Sequence, residues 1–224
     1  MPLSKAALRV ILFDLDGTLA DTAPDLGLAL NMQRERHGLA PLPQAQIRPY
    51  ASHGSKGLLS LGFGLKPQDV TFPAMRDEYL GLYDQVFTRS PALFEGMTEL
   101  LTELDTKGLR WGVVTNKPRR FTEPLLNVLN LTERAACVVC GDDASRSKPY
   151  PDTLLMAAAQ LAAKPSSCLY LGDAERDIQA GQAADMHTVV ALFGYIHAAD
   201  KPHEWGADAM ISAPAELLAF CDSL

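Results

Sequence analysis

The chain has 224 residues, 47% of them hydrophobic and 21% charged, enough for one full-sized domain or for a core carrying a smaller insertion. Twenty-seven acidic against twenty basic residues give a net charge of -7, which argues against general affinity for nucleic acid or anionic membranes. No apolar run approaches the roughly 20 residues of a membrane span and no export signal is evident, so a cytoplasmic protein is expected.

The first element is a short apolar run, Leu8-Arg9-Val10-Ile11-Leu12-Phe13, β-branched and aromatic enough to read as a buried strand. Asp14-Leu15-Asp16-Gly17-Thr18 follows, with Gly17 as the turn residue. A helical pattern runs from about Asp25 to Gly38, and residues 41–90 continue as helix broken by Pro43, Pro49, Pro67 and Pro73. Met97, Leu100, Leu101 and Leu104 share one helix face, and Gly108 stands where a carboxyl-terminal cap belongs. Strand 109–115 comes next, and Pro118 opens a further helix. Strand 136–140, helix 151–163, strand 167–171, helix 174–184, strand 187–191 and a short pair near 208–222 complete the chain.

Such alternation predicts an α/β fold, a Rossmann-like parallel sheet with helices on both faces. Residues 21–89 interrupt it and are expected to fold as a helical insertion, leaving 1–20 and 90–224 as the core. Cys137 and Cys140 form a CxxC inside the predicted strand 136–140, where positions three apart face opposite ways. They are read as structural thiols rather than metal ligands or a redox pair.

Polar residues gather at the predicted strand ends: Asp14 and Asp16, Thr115-Asn116-Lys117, and Gly172-Asp173 with Asp177 beyond it. Lys148-Pro149 lies in a loop before a helix. In a parallel sheet these ends share one rim, so the groups converge although distant in sequence. Asp14, Asp16 and Asp173 would resist joint ionisation, since unit charges 4 Å apart repel by roughly 4 kcal/mol at an effective dielectric near 20. A hard divalent cation removes that penalty, and an oxygen-only donor set suits Mg²⁺. Lys148 supplies a fixed cation, while the Thr115 hydroxyl and the Asn116 backbone N–H can hold phosphoryl oxygens.

Asp-Leu-Asp-Gly-Thr, a strand ending in Thr-Asn, Lys-Pro and Gly-Asp-x-x-x-Asp, in that order, resemble the four motifs of the haloacid dehalogenase superfamily. The resemblance implies that Asp14 is a nucleophile forming an aspartyl-phosphate. It makes Asp16 the acid that protonates the leaving alcohol and later activates water, with its backbone carbonyl on Mg²⁺. It assigns Thr115 and Lys148 to phosphoryl binding, Asp173 to the metal and Asp177 to a place behind the metal ligands. An acid at position 16 argues against dehalogenation, because a halide leaves without a proton. The insertion resembles a type-one cap that closes over the site.

For the substrate, the Gly-rich turn 51–57 offers His53 and Lys56, and Lys117 and Arg120 follow the second motif. Asp21-Thr22-Ala23-Pro24 and Thr115-Asn116-Lys117 are similar to phosphoglycolate phosphatases, the leading expectation. Phe193-Gly194-Tyr195-Ile196 and Trp205-Gly206-Ala207-Asp208 are similar to N-acetylmuramate 6-phosphate phosphatases. A sugar-phosphate phosphatase, a phosphosugar mutase on the same core, and a phosphate-binding protein without catalysis stand as alternatives. The expected partner is a small phosphorylated metabolite, bound by a monomer or homodimer.

Overall fold

The computed structural model describes residues 8–223; of the expected core segment 1–20, residues 1–7 lie outside the described residues, as does Leu224. Strand β1 (Val10–Phe13) is buried along its whole length and sits in the middle of a six-stranded sheet. It pairs in parallel with β4 (Arg110–Val114) on one side and β6 (Cys168–Gly172) on the other. Beyond β4 lies β5 (Val138–Val139), and beyond β6 lie β7 (His187–Ala191) and β8 (Ala209–Ile211), all parallel. The predicted α/β fold is the observed one.

Alternation along β1 divides its side chains between two apolar layers. Ile11 and Phe13 pack with α5 (Met97–Thr106), α6 (Arg119–Val128) and α9 (Glu216–Asp222) on one face. Val10 and Leu12 pack with α7 (Asp152–Gln160) and α8 (Glu175–Ala183) on the other. The α5 seam is the predicted one: Met97, Leu100, Leu101 and Leu104 are all buried. Each such side chain contributes about 1.5–3 kcal/mol of burial. Cys137 and Cys140 are buried free thiols, and burial pushes both up to about 11, which keeps them protonated and inert.

Two very short strands, β2 (Ala20–Asp21) and β3 (Ala92–Leu93), pair antiparallel and pin together the two ends of the helical insertion. Within it, α1 (Ala23–Arg36), α2 (Gln44–Ile47), α3 (Gly54–Phe63) and α4 (Phe72–Tyr83) surround their own apolar cluster. A 3₁₀ turn, Arg48–His53, leads into α3. Leu26, Leu30, Leu58, Leu59 and Tyr79 fill the cluster, and Phe121 and Tyr195 join it from outside the insertion. Among the described residues, no helix is long and apolar enough to cross a membrane.

Candidate active site

Register decides which residues meet. Phe13 lies opposite Val113 and Leu171, so Asp14, Thr115 and Asp173 leave neighbouring strands within two residues of one another along the same rim. Asp14 and Asp173 are buried, and one carboxylate oxygen each from Asp14, Asp173 and Asp177 lie within 4.8 Å of one another. Gly17 makes the turn after Asp14 with φ +86°, and a β-carbon there would fall 2.1 Å from Asp173 Oδ2. Only glycine serves both requirements.

The Lys148 ammonium neutralises part of this cluster. Its Nζ, fully buried, stands 3.0 Å from Asp14 Oδ1 and 2.8 Å from Asp177 Oδ1. It also donates to Tyr170 Oη at 2.6 Å, and Tyr170 in turn donates to the Val114 carbonyl at 2.7 Å. Asn116 holds the loop of Lys148 through two reciprocal 3.0 Å bonds to its backbone. That leaves the Asn116 side chain engaged with the protein and its backbone N–H as the group suited to a phosphoryl oxygen. Asp177 accepts the Ala174 N–H at 3.0 Å, so it orders the start of α8 as well as Lys148.

Three carboxylates this close repel strongly, each pair by roughly 3–4 kcal/mol at an effective dielectric near 20, and Lys148 with the Arg176 guanidinium offsets only part of that charge. Burial, then the charges of Asp177 and Asp14, push Asp173 up to about 7. Asp14 is also raised, burial outweighing the opposing pull of Lys148. Asp173 Oδ1 is buried with no hydrogen-bond partner. A buried, oxygen-only, electron-rich group with an orphaned acceptor fits a hard divalent cation.

Asp16 lies apart from this cluster, half-buried, and accepts from Lys117 Nζ at 2.9 and 3.1 Å and from Thr22 Oγ1 at 2.5 Å. Lys117 is buried, with its ammonium 4.9 Å from the centre of the Tyr83 ring. The predicted substrate-binding lysine is therefore paired with the predicted acid. Thr115 Oγ1 accepts the Lys117 N–H at 3.2 Å. Asp14, Asp16, Thr115, Asn116, Lys117 and Lys148 floor a cavity of about 710 Å³.

The insertion roofs the cavity with Ser52, His53, Lys56, Arg76, Tyr79 and Tyr83. His53 and Lys56 are exposed at its mouth. Arg120 does not join them; its guanidinium lies over the Phe121 ring at 4.4 Å. Sequence reasoning gives Ser52 no role of its own, and places Arg176 at the start of the helix after the fourth motif with a core acid as a candidate partner. Ser52 Oγ donates to Asp173 Oδ2 at 2.5 Å, and Arg176 donates to the Ser52 carbonyl at 2.7 Å. An arginine one residue before Asp177 was the available signal, but nothing in the sequence says that it reaches position 52.

Residues 11–191 match the family model of haloacid dehalogenase-like hydrolases. The N-acetylmuramic acid 6-phosphate phosphatase of Pseudomonas aeruginosa is 40% identical over 98% of this chain and 100% of its own length. A phosphoglycolate phosphatase of Xanthomonas campestris is 38% identical over 93% of this chain and 94% of its own. The crystal structure of a predicted phosphoglycolate phosphatase of Haemophilus somnus superimposes with a TM-score of 0.83 at 22% identity, covering 97% of this chain and 99% of that one.

Proposed function

The chain belongs to the haloacid dehalogenase-like hydrolases, and from that premise we propose a Mg²⁺-dependent phosphatase acting on a small phosphorylated metabolite. The observation that carries the reading is the buried carboxylate cluster with Lys148 at its edge, opening on a cavity large enough for an organic phosphate. Asp14 is the nucleophile and attacks phosphorus in line, forming an aspartyl-phosphate. Asp16, two residues further along, protonates the departing oxygen and afterwards takes a proton from the hydrolytic water. The Thr115 hydroxyl, the Asn116 backbone N–H and Lys148 hold the phosphoryl oxygens. Asp14, Asp173 and the backbone carbonyl of Asp16 are the groups to hold Mg²⁺, with Asp177 ordering them from behind. The ion would offset the charge between these carboxylates and the substrate phosphate.

Residues 21–89 act as a cap, and His53, Lys56 and Lys117 meet the leaving group. Lys117 must release Asp16 to do so. Phosphoglycolate is the leading substrate expected from the motifs, and relatives such as the Xanthomonas protein bear that name. The cavity supports a second reading, because about 710 Å³ is far more than a two-carbon ester fills. N-acetylmuramate 6-phosphate, the substrate in the name of the Pseudomonas relative, suits that volume better.

Initial rates of phosphate release with Mg²⁺ on phosphoglycolate, hexose phosphates and N-acetylmuramate 6-phosphate test the reading and rank the substrates. Isomerisation of a sugar phosphate without phosphate release would make the protein a mutase. Binding without turnover of any ester would remove the enzyme assignment.

A further inference from the structure

The loop after β7 contains Phe193-Gly194-Tyr195, which takes no part in the chemistry above, yet it runs between the two catalytic carboxylate groups. Gly194 lets it approach: a β-carbon there would lie 2.3 Å from the Gly17 carbonyl oxygen and 2.4 Å from Asp173 Cβ. The Tyr195 backbone N–H donates to Asp173 Oδ2 at 2.8 Å. Its side chain, buried to 2% exposure, then reaches across to the entrance of the insertion. There the hydroxyl accepts the Thr22 and Ala23 N–H groups at 2.7 and 2.9 Å and donates to Asp21 Oδ1 at 2.8 Å. Arg48 closes the arrangement, 2.7 Å from Asp21 Oδ2 and 5.0 Å from the centre of the Tyr195 ring.

Thr22 is the residue whose Oγ1 donates to Asp16. One tyrosine thus touches Asp173 with its backbone and, with its hydroxyl, fixes the peptide that orients Asp16. We propose that Tyr195 is a positioning residue for Asp16, setting where the proton donor stands relative to the rim that binds the phosphoryl group. The physical reason is specific. Two backbone N–H groups at the start of α1 have no helical acceptor. The hydroxyl satisfies both at once, so the entry of the chain into the insertion takes one orientation. Without it those donors turn to other acceptors, and Thr22 moves with them.

This inference rests on the acid role of Asp16 given above, so its test separates the two. Tyr195→Phe keeps the ring and the backbone bond to Asp173 and removes only the hydroxyl. kcat/KM reports the step in which the leaving group departs, and an alkyl ester needs a proton there whereas p-nitrophenyl phosphate does not. Tyr195→Phe is expected to lower kcat/KM at least about tenfold on the best alkyl phosphate and less than about twofold on p-nitrophenyl phosphate. Asp16→Asn should show the same selectivity with a larger loss. If Asp16→Asn is selective but Tyr195→Phe loses nothing, or loses equally on both esters, the role of Tyr195 is overturned. If Asp16→Asn itself loses equally on both, the acid assignment fails instead. Should Tyr195→Phe not fold, Asp21→Ala removes the acceptor that orients the same hydroxyl from a half-buried position, and the same ratio decides.

Discussion

The floor and the roof of the cavity are built on different principles. On the floor the charges are paired, Lys148 with Asp14 and Asp177 and Lys117 with Asp16, while Asp173 beside them accepts from Ser52 and Tyr195. On the roof, Lys56 and Arg76 are exposed and make no ion pair or side-chain hydrogen bond among the described residues. The floor is built chiefly on the ends of three adjacent strands, whose register sets where its groups begin. The roof stands on helices joined to the core through two two-residue strands. Buried, mutually dependent groups suit a reaction with one geometry, while exposed, independent cations suit recognition that can change without disturbing the fold.

The sharpest way to break this contrast is at Asp14, the proposed nucleophile. Asp14→Asn should fold normally and lose at least about 10⁴-fold in phosphate release, since an amide in place of the proposed attacking carboxylate cannot form the aspartyl-phosphate. Circular dichroism beside the assay checks both halves, and turnover above about 1% of the parent's would remove Asp14 from its role.

Lys148→Met comes next. Activity should fall roughly 10²- to 10³-fold. In chelator the fold should lose about 3–5 kcal/mol, because buried Asp14 and Asp177 lose the ammonium that bridges them. A denaturant titration with unchanged midpoint would show that the floor does not depend on this lysine.

The pH dependence of stability probes the same cluster more gently. Asp173 stands at about 7 in the metal-free fold against about 3.9 in an unfolded chain. The folded protein therefore binds more protons between those values, and its extra stability is present below about pH 4 and lost as the pH rises through 7. Melting temperatures in chelator should fall from pH 5 to pH 8, and Mg²⁺ should flatten the slope by binding the carboxylate form. A slope in chelator that survives Asp173→Asn unchanged would place its origin elsewhere.

The smallest effects belong to the roof. Lys56→Ala and Arg76→Ala should raise KM about three- to tenfold for an ester carrying a second anionic group, leaving kcat and the melting temperature within error. Equal effects on a neutral ester would show that these cations serve the phosphate and that floor and roof are not separate in function.

Asp14, Asp173 and Lys148 were legible because the two acids close apolar runs and the lysine precedes a proline before a helix, and strand ends in a parallel sheet share a rim. The helices between residues 23 and 83 were legible through their period and prolines, though the pairing of Ala20–Asp21 with Ala92–Leu93 was not, since two-residue strands leave no periodicity to read. Lys117 was read as a group for the substrate; its pairing with Asp16 depends on the angle at which β1 and β4 present their ends. Tyr195 stood out as part of a motif without a role, because its partners at 21–23 and 173 are distant in the chain.

Residue order alone determined the alternating architecture and the acids at the sheet rim, because apolar period and turn chemistry act over a few neighbours. Tertiary structure decided which charges neutralise one another and what roofs the cavity. Those outcomes follow from strand register and from contacts as distant as Ser52 with Asp173, whose energies depend on burial that no local stretch of chain encodes.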